Sequence, residues 1–250
     1  MLRTRLIPYL MIHNNSLYKS FKFDNYKYIG DPINAVKIFN EKKVDELIIV
    51  DIDANNSKNL INFNLIKKIA NECNMPLCYG GGIENIDQIE KIISLGVEKI
   101  SISSCAISNP QLLFAASKKV GKQSVVLTLD VKKNNYKYDI FIKNGKIFSG
   151  YELKDFLKKI DSFALGELLI NSIDRDGTKV GYDIDLINYI SDSINVPLTI
   201  SGGAGSIDHF KEVALLNKNI GLAASSFFVF KGKFNAVLLS YLSQDEKKTI

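Results

Sequence analysis

Pro76-Leu77-Cys78-Tyr79-Gly80-Gly81-Gly82-Ile83 is a short apolar run that stops in three glycines, and Pro197-Leu198-Thr199-Ile200-Ser201-Gly202-Gly203-Ala204 repeats its shape 121 positions later. The same interval separates Ile52-Asp53 from Ile173-Asp174 and Ser104 from Ser225. A register kept over Ile52-Asp53, Pro76-Leu77, Gly81-Gly82 and Ser104 marks an internal repeat. Each member of the pair reads as a buried strand that ends in a tight turn with open backbone. Outward from these two, β-rich runs alternate with helical patterns along the chain. Strands are expected at Leu6 to Met11, Leu47 to Asp51, Leu77 to Tyr79, Ile100 to Ser103, Val125 to Asp130, Leu168 to Asn171, Leu198 to Ser201 and Gly221 to Ala224. Parallel strands joined by crossover helices follow from that order. Eight units predict an α/β fold, a single (β/α)8 TIM barrel over residues 1–250 built from half-barrels of about 1–120 and 121–250.

The helices carry readable starts. Asp31-Pro32 offers an N-cap followed by proline at the first helical position, and Asn109-Pro110 repeats the device. Leu112, Leu113 and Ala116 give the second of these helices a face for the barrel, while Lys118 and Lys119 stay wet. Asn144-Gly145, between Tyr138-Asp139-Ile140 and Lys146-Ile147-Phe148, predicts a hairpin inserted after the fifth strand.

Composition narrows the function classes. With 250 residues, 46% hydrophobic and 24% charged, the chain can bury one large core. The longest apolar runs are far shorter than a bilayer span, so no membrane helix is expected. Residues Met1 to Ile12 read as a first strand rather than a cleaved leader, because Pro8 interrupts the run and His13-Asn14-Asn15 replaces a cleavage site. Cys73, Cys78 and Cys105 form an odd set without a CxxC pair, which points to neither disulfides nor zinc and to a cytoplasmic protein. The net charge of +5 is spread along the chain, against nucleic acid as a partner. No metal or organic cofactor is implied, since neither His13 nor His209 has ligand-type neighbours in sequence.

Active sites of such barrels lie where strands run out into loops. Gly81 and Gly82 after the third strand and Gly203 after the seventh leave N–H groups open to a phosphate. Ser103 and Ser104, and across the barrel Ala224 and Ser225, complete each cradle, and Gly177 belongs to the second. Two matched cradles suit an elongated small molecule phosphorylated at both ends.

Over essentially the full chain these residues resemble the cyclase subunit of imidazole glycerol phosphate synthase. The resemblance rests on Arg5-Leu6-Ile7-Pro8, Gly30-Asp31-Pro32, Asp45-Glu46-Leu47, Asp51-Ile52-Asp53-Ala54, Gly80-Gly81-Gly82-Ile83, Asp174-Arg175-Asp176-Gly177-Thr178 and Ser201-Gly202-Gly203-Ala204-Gly205, all in family order. The isomerase one step earlier in histidine biosynthesis shares the half-barrel repeat and is the nearest confusion. Arg5, Glu46, Lys99 and Glu167, at the starts of strands one, two, four and six, favour the cyclase. In the family these positions form a salt-bridged gate through which ammonia enters from a docked glutaminase partner. The resemblance further places a lid lysine at Lys19, followed here by Ser20 rather than glycine, and puts Ser103 where the family carries asparagine. Asp51, Asp174 and Asp176 are candidate polar groups of the mouth; Asp51 either binds substrate hydroxyls or caps the next segment.

One departure bears on function. The family works with two aspartates, one ending the first strand and one ending the fifth. Asp130 matches the second, but the first position holds Met11, whose thioether handles no proton at neutral pH. An intact gate with a broken acid–base pair resembles the second-copy branch of the family in surface-glycan pathways, where the barrel and its glutaminase supply ammonia to an enzyme that turns an acetamido sugar into an acetamidino sugar. The alternatives are a genuine histidine-pathway lyase in which Asp51 or a water takes over, and a non-catalytic scaffold that only activates its glutaminase.

Overall fold

The computed structural model describes residues 4–54, 60–160, 165–216 and 220–250. Met1 to Arg3, the start of the first-strand reading, lie outside them. Eight parallel strands close into a barrel: β1 (Arg5–His13), β4 (Leu47–Asp51), β5 (Leu77–Gly80), β6 (Lys99–Ile102), β7 (Val125–Asn134), β10 (Glu167–Ser172), β11 (Leu198–Ser201) and β12 (Gly221–Ala224). Each pairs with the next in that order, and β12 pairs back with β1. The closure is a parallel ladder of β10 on β7, from Glu167 opposite Val126 to Ser172 opposite Val131. Helices α1 (Pro32–Glu41), α2 (Phe63–Glu72), α3 (Ile86–Ser94), α5 (Gln111–Val120), α7 (Ile184–Ile190) and α8 (Ile207–Leu216) lie between barrel strands. They bury faces such as Val36 and Phe39, Ile89 and Ile92, and Leu112, Leu113 and Ala116 on the outward-pointing strand residues. Among the described residues no helix is long and apolar enough to cross a membrane.

The repeat recurs in the backbone. Leu47 N–H donates to the Pro76 carbonyl at 2.9 Å, and 121 positions on Leu168 N–H donates to that of Pro197 at 2.8 Å. Gly81 and Gly202 take φ of +112° and +103°, and a Cβ on either would collide with the carbonyl oxygen of Asp51 or Ser172, again 121 positions apart. Neither position has room for a side chain.

Antiparallel strand pairs decorate the upper rim. β2 (Ser16–Phe21) pairs with β3 (Asp24–Gly30), so the segment that carries the lid lysine Lys19 is a β-hairpin. Asn14 and Asn15, at φ of 49° and 58°, make the turn by which β1 pairs back on β2, a left-handed conformation that asparagine tolerates better than most residues. β7 outlasts the expected strand and pairs with β8 (Lys137–Ile142), which pairs with β9 (Ile147–Glu152) around Asn144-Gly145. A last short pair joins β13 (Phe230–Lys231) and β14 (Ala236–Val237).

Asp31 caps α1 by accepting the Asn34 N–H at 2.8 Å, with Pro32 next in line. Asn109-Pro110 does not repeat the device. Asn109 instead ends the short helix α4 (Ser104–Ser108), and Pro110, without a capping side chain, precedes α5.

Because inward side chains alternate along each strand, the barrel axis is layered. Arg5, Glu46, Lys99 and Glu167 lie at the bottom, Ile7, Ile48, Cys78, Val126, Leu169 and Ala223 above them as one buried apolar cluster, and Tyr9 and Val50 pack on that cluster from above. Gly81→Ala and Gly202→Ala are each expected to lower stability by about 2–4 kcal/mol, through backbone strain and steric clash. Gly150→Ala, at a φ of +86° with nothing nearby, is expected to cost only about 1 kcal/mol. Urea midpoints on the three variants check this, and equal midpoints would remove the steric account of the repeated glycine turns.

Candidate active site

The strand ends frame an open cavity of about 530 Å³. Gly81, Gly82, Ser103 and Ser104 line one side, and Gly177, Gly203, Ala224 and Ser225 line another. The glycine turns and short helix starts that the sequence singled out therefore border one space. Gly203 approaches the backbone of Gly181 so closely that a Cβ there would overlap its carbonyl oxygen.

Asp130 borders the cavity where β7 meets the closing strand. Asn171 Nδ2 donates to its Oδ1 at 3.0 Å and lies 3.3 Å from the Tyr9 hydroxyl. The carboxyl touches cavity space but is enclosed by protein, and this desolvation pushes its pKa up to about 6, against the Asn171 hydrogen bond. Met11 lines the same cavity. Strands β1 and β7 are four places apart in a ring of eight, so Met11 and Asp130 come from opposite walls.

Lys19, on the inner strand of the first hairpin, is only 5% exposed. Its Nζ donates to Asp176 Oδ1 at 2.6 Å and to the Ser20 carbonyl at 2.7 Å. Ser20 Oγ donates to the other Asp176 oxygen at 2.7 Å, and Lys22 N–H to the Asp176 carbonyl at 3.0 Å. The hairpin is thus seated on the cavity through Asp176. Burial holds the Lys19 pKa below its usual value in spite of that carboxylate.

Asp51 and Asp174 do not line the cavity. Asp51 accepts the N–H groups of Asp53 at 2.9 Å and Ala54 at 3.3 Å, the capping alternative, while burial raises its pKa. Asp174 accepts the Lys133 N–H at 2.8 Å on the second rim hairpin. Conversely, Tyr9, Tyr26, Ser101, Thr128, Asn171 and Ser201 line the cavity and were not singled out in sequence. Strand parity would have found most of them, since Tyr9 precedes Met11 by two and Thr128 precedes Asp130 by two.

Beneath the apolar layer the four bottom charges close a ring. Arg5 pairs with Glu46 at 2.5 Å and with Glu167 at 2.9 Å, and Lys99 pairs with the same two carboxylates at 2.7 and 2.9 Å. Thr199 donates to Glu167 as well. Positive and negative groups alternate, so each carboxylate meets two cations. Burial pushes Glu167 up, but Arg5 and Lys99 outweigh it and hold its carboxyl below the usual range.

Comparison with known proteins agrees with this geometry. A family model described as histidine biosynthesis protein matches residues 5–235. A Leptospira borgpetersenii protein, provisionally named imidazole glycerol phosphate synthase subunit HisF, is 46% identical over 100% of this chain and 99% of its own length. A Vibrio vulnificus protein provisionally named as the hisF3 subunit of the same synthase is 46% identical over 99% of this chain and 96% of its own length. The imidazole glycerol phosphate synthase subunit HisF of Hydrogenobaculum is 36% identical, with 98% of each chain covered. The chain belongs to the histidine biosynthesis protein family, and within it to the barrels of the imidazole glycerol phosphate synthase cyclase-subunit type.

Proposed function

We propose that this barrel takes up ammonia from a glutaminase subunit bound at its bottom and conducts it along the axis to the mouth, with little cyclisation chemistry of its own. The observation that carries the reading is the contrast between a complete charged ring below and Met11 above, on the wall opposite Asp130. Ring opening requires only that Lys99 leave its two carboxylates. Beyond it, the layer from Ile7 to Ala223 favours a small neutral molecule, because an ammonium ion would leave its hydration shell with no counter-charge. Gly81, Gly82, Ser103 and Ser104 on one side, and Gly177, Gly203, Ala224 and Ser225 on the other, hold the phosphate ends of an elongated ligand, with Lys19 and Asp176 over its middle. The ammonia is used by a separate amidotransferase that converts an acetamido sugar to an acetamidino sugar for surface glycans, a reaction that needs nucleophilic nitrogen and no second carboxylate in this chain.

A second reading, an ordinary cyclase of the histidine pathway, draws support from Asp130, which at about 6 is suited to moving protons near neutral pH. Asp51 is not its missing partner, because its carboxylate is taken up by two backbone amides.

With the phosphorylated ribulosyl substrate and ammonium salt, turnover is expected ~10²–10⁴-fold below that of an ordinary cyclase, the usual cost of losing a positioned acid or base. Met11→Asp is expected to recover much of that deficit; ordinary turnover by the unmodified protein would end the ammonia-supplier reading. Replacing Lys99 by methionine is expected to change the fraction of glutamine nitrogen that emerges from the barrel. Glutaminase activation and nitrogen transfer both left unchanged would instead favour a scaffold. Asp130→Asn is expected to stabilise the fold by about 1–2 kcal/mol at pH 8, less than the full 1.36 kcal/mol per pKa unit because cavity water screens the charge. The gain has a definite pH window. A carboxyl whose folded pKa is raised makes the fold lose stability as pH rises from about 4 to about 6, so the variant and the unmodified protein should converge below that window. Denaturation at pH 4 and 8 checks the sign.

A further inference from the structure

Outside the cavity and the ring, lysines from three different loops converge beside the mouth. Lys27 of β3 and Lys179 of the loop after β10 both lie over Phe230, 5.0 and 5.4 Å from its centroid. Both also donate to Asn235, Lys27 to its carbonyl at 2.8 Å and Lys179 to its side-chain oxygen at 2.6 Å. Lys231 follows Phe230 and lies over Phe227 at 5.2 Å. Burial, and then the Lys231 and Lys27 ammonium groups, hold Lys179 below the usual lysine range. None of the three has a salt-bridge partner among the described residues. Like charges are therefore gathered with only the exposed Glu246 carboxylate close enough to Lys231 to act on it, a state that a negatively charged surface relieves.

Large apolar groups stand exposed on the same loops as Lys179 and Lys231: Val180 at 62% and Phe234 at 89%. Exposed apolar groups edged by charge mark a contact face. The patch is continuous with the mouth. The Lys27 bond to Asn235 ties the first hairpin to the last, and Phe23 of that first hairpin lines the cavity beside Gly145 of the second.

Delivery of ammonia adds a chemical requirement. Ammonia released from an open mouth into neutral water becomes ammonium, which has no free electron pair for attack. A conduit that ends here delivers its nitrogen only if the consumer closes the mouth. We propose that the lysine and aromatic patch around Phe230 and Asn235 is the docking face for the enzyme that consumes the ammonia, a protein that presents carboxylates to Lys27, Lys179 and Lys231 and seats its own active site over the cavity. The inference rests on the ammonia-delivery reading and adds where, and with what surface chemistry, the consumer binds.

The test reconstitutes this barrel with its glutaminase and the acetamido-sugar amidating enzyme, and compares glutamine with ammonium salt as the nitrogen source. The Lys27→Glu/Lys231→Glu double variant and, separately, Phe234→Ser alter exposed groups away from the cavity and the ring. Each is expected to lower glutamine-driven amidination by about tenfold or more, as lost charge complementarity and buried contact weaken docking. Glutamine hydrolysis and ammonium-driven amidination are expected to stay unchanged. Added salt should depress the glutamine-driven rate of the unmodified protein and affect the double variant less. If the variants deliver glutamine nitrogen as well as the unmodified barrel, the docking face is wrong and ammonia delivery stands. If the unmodified barrel passes no glutamine nitrogen, both fall. An equal fall in the ammonium-driven rate would assign the patch to acceptor chemistry and overturn docking.

Discussion

The seam between β10 and β7 is the interaction on which the rest depends. It turns a twisted sheet into a closed tube, and only in a tube do alternate side chains of all eight strands share one axis. Glu167 opens the seam opposite Val126, and from there it reaches Arg5 and Lys99, both at 2.9 Å. Four residues further along, Asn171 stands opposite Asp130 in the same ladder and donates to it at 3.0 Å. One set of backbone hydrogen bonds thus completes the charged ring below and orients the acid above.

Along the axis the groups are sorted by polarity in a way that packing alone does not demand. The ring charges satisfy one another at the bottom, where two carboxylates meet two cations. The layer above is apolar apart from the weakly polar Cys78 thiol. Polar groups resume above it, with Ser101 and Thr128, hydrogen-bonded at 2.6 Å, lining the open cavity. A charged solute meets its highest barrier in the middle layer, while a small neutral one loses only a few hydrogen bonds there. This sorting by polarity is a consequence of strand parity, since Ile7 and Tyr9 follow Arg5 on one face, as Leu169 and Asn171 follow Glu167.

Much of this was legible in the sequence, for identifiable reasons. Strands such as Leu198 to Ser201 and Gly221 to Ala224 match their expected bounds, because apolar runs that stop abruptly at a turn leave little freedom in register. The bottom charges were legible because each stands at a strand start. The first hairpin was not, because its strands Ser16–Phe21 and Asp24–Gly30 mix lysine, tyrosine and asparagine with little alternation and gain their pairing from tertiary contacts such as Lys19 on Asp176. Asp51 was ambiguous for a related reason. A carboxylate at a strand end has the same local sequence whether it faces a ligand or the backbone amides that follow, and only the fold decided for Asp53 and Ala54. Asn171 escaped notice because a neutral amide carries no titration signal of its own, although it sets the polarity around Asp130.

The two ends of the axis differ in what they have kept at the expense of stability. Buried ion pairs seldom stabilise a fold relative to well-packed apolar groups, so a ring of four charges under an apolar layer points to a use beyond packing. At the top the opposite exchange has been made. Burial already raises the pKa of Asp130, and Asp176 raises it further; a second carboxylate at position 11 would add to that repulsion, whereas Met11 adds none. On the proposed reading the cavity has given up one costly group, and with it the proton relay across the mouth, while the base of the barrel has kept all of its own. Drift without selection would be expected to erode the ring at least as readily, since after the loss of any one member each opposite charge still keeps its second partner. On the proposed reading, the retained cost places the function at the ring and the layer above it, rather than in acid–base chemistry at the mouth.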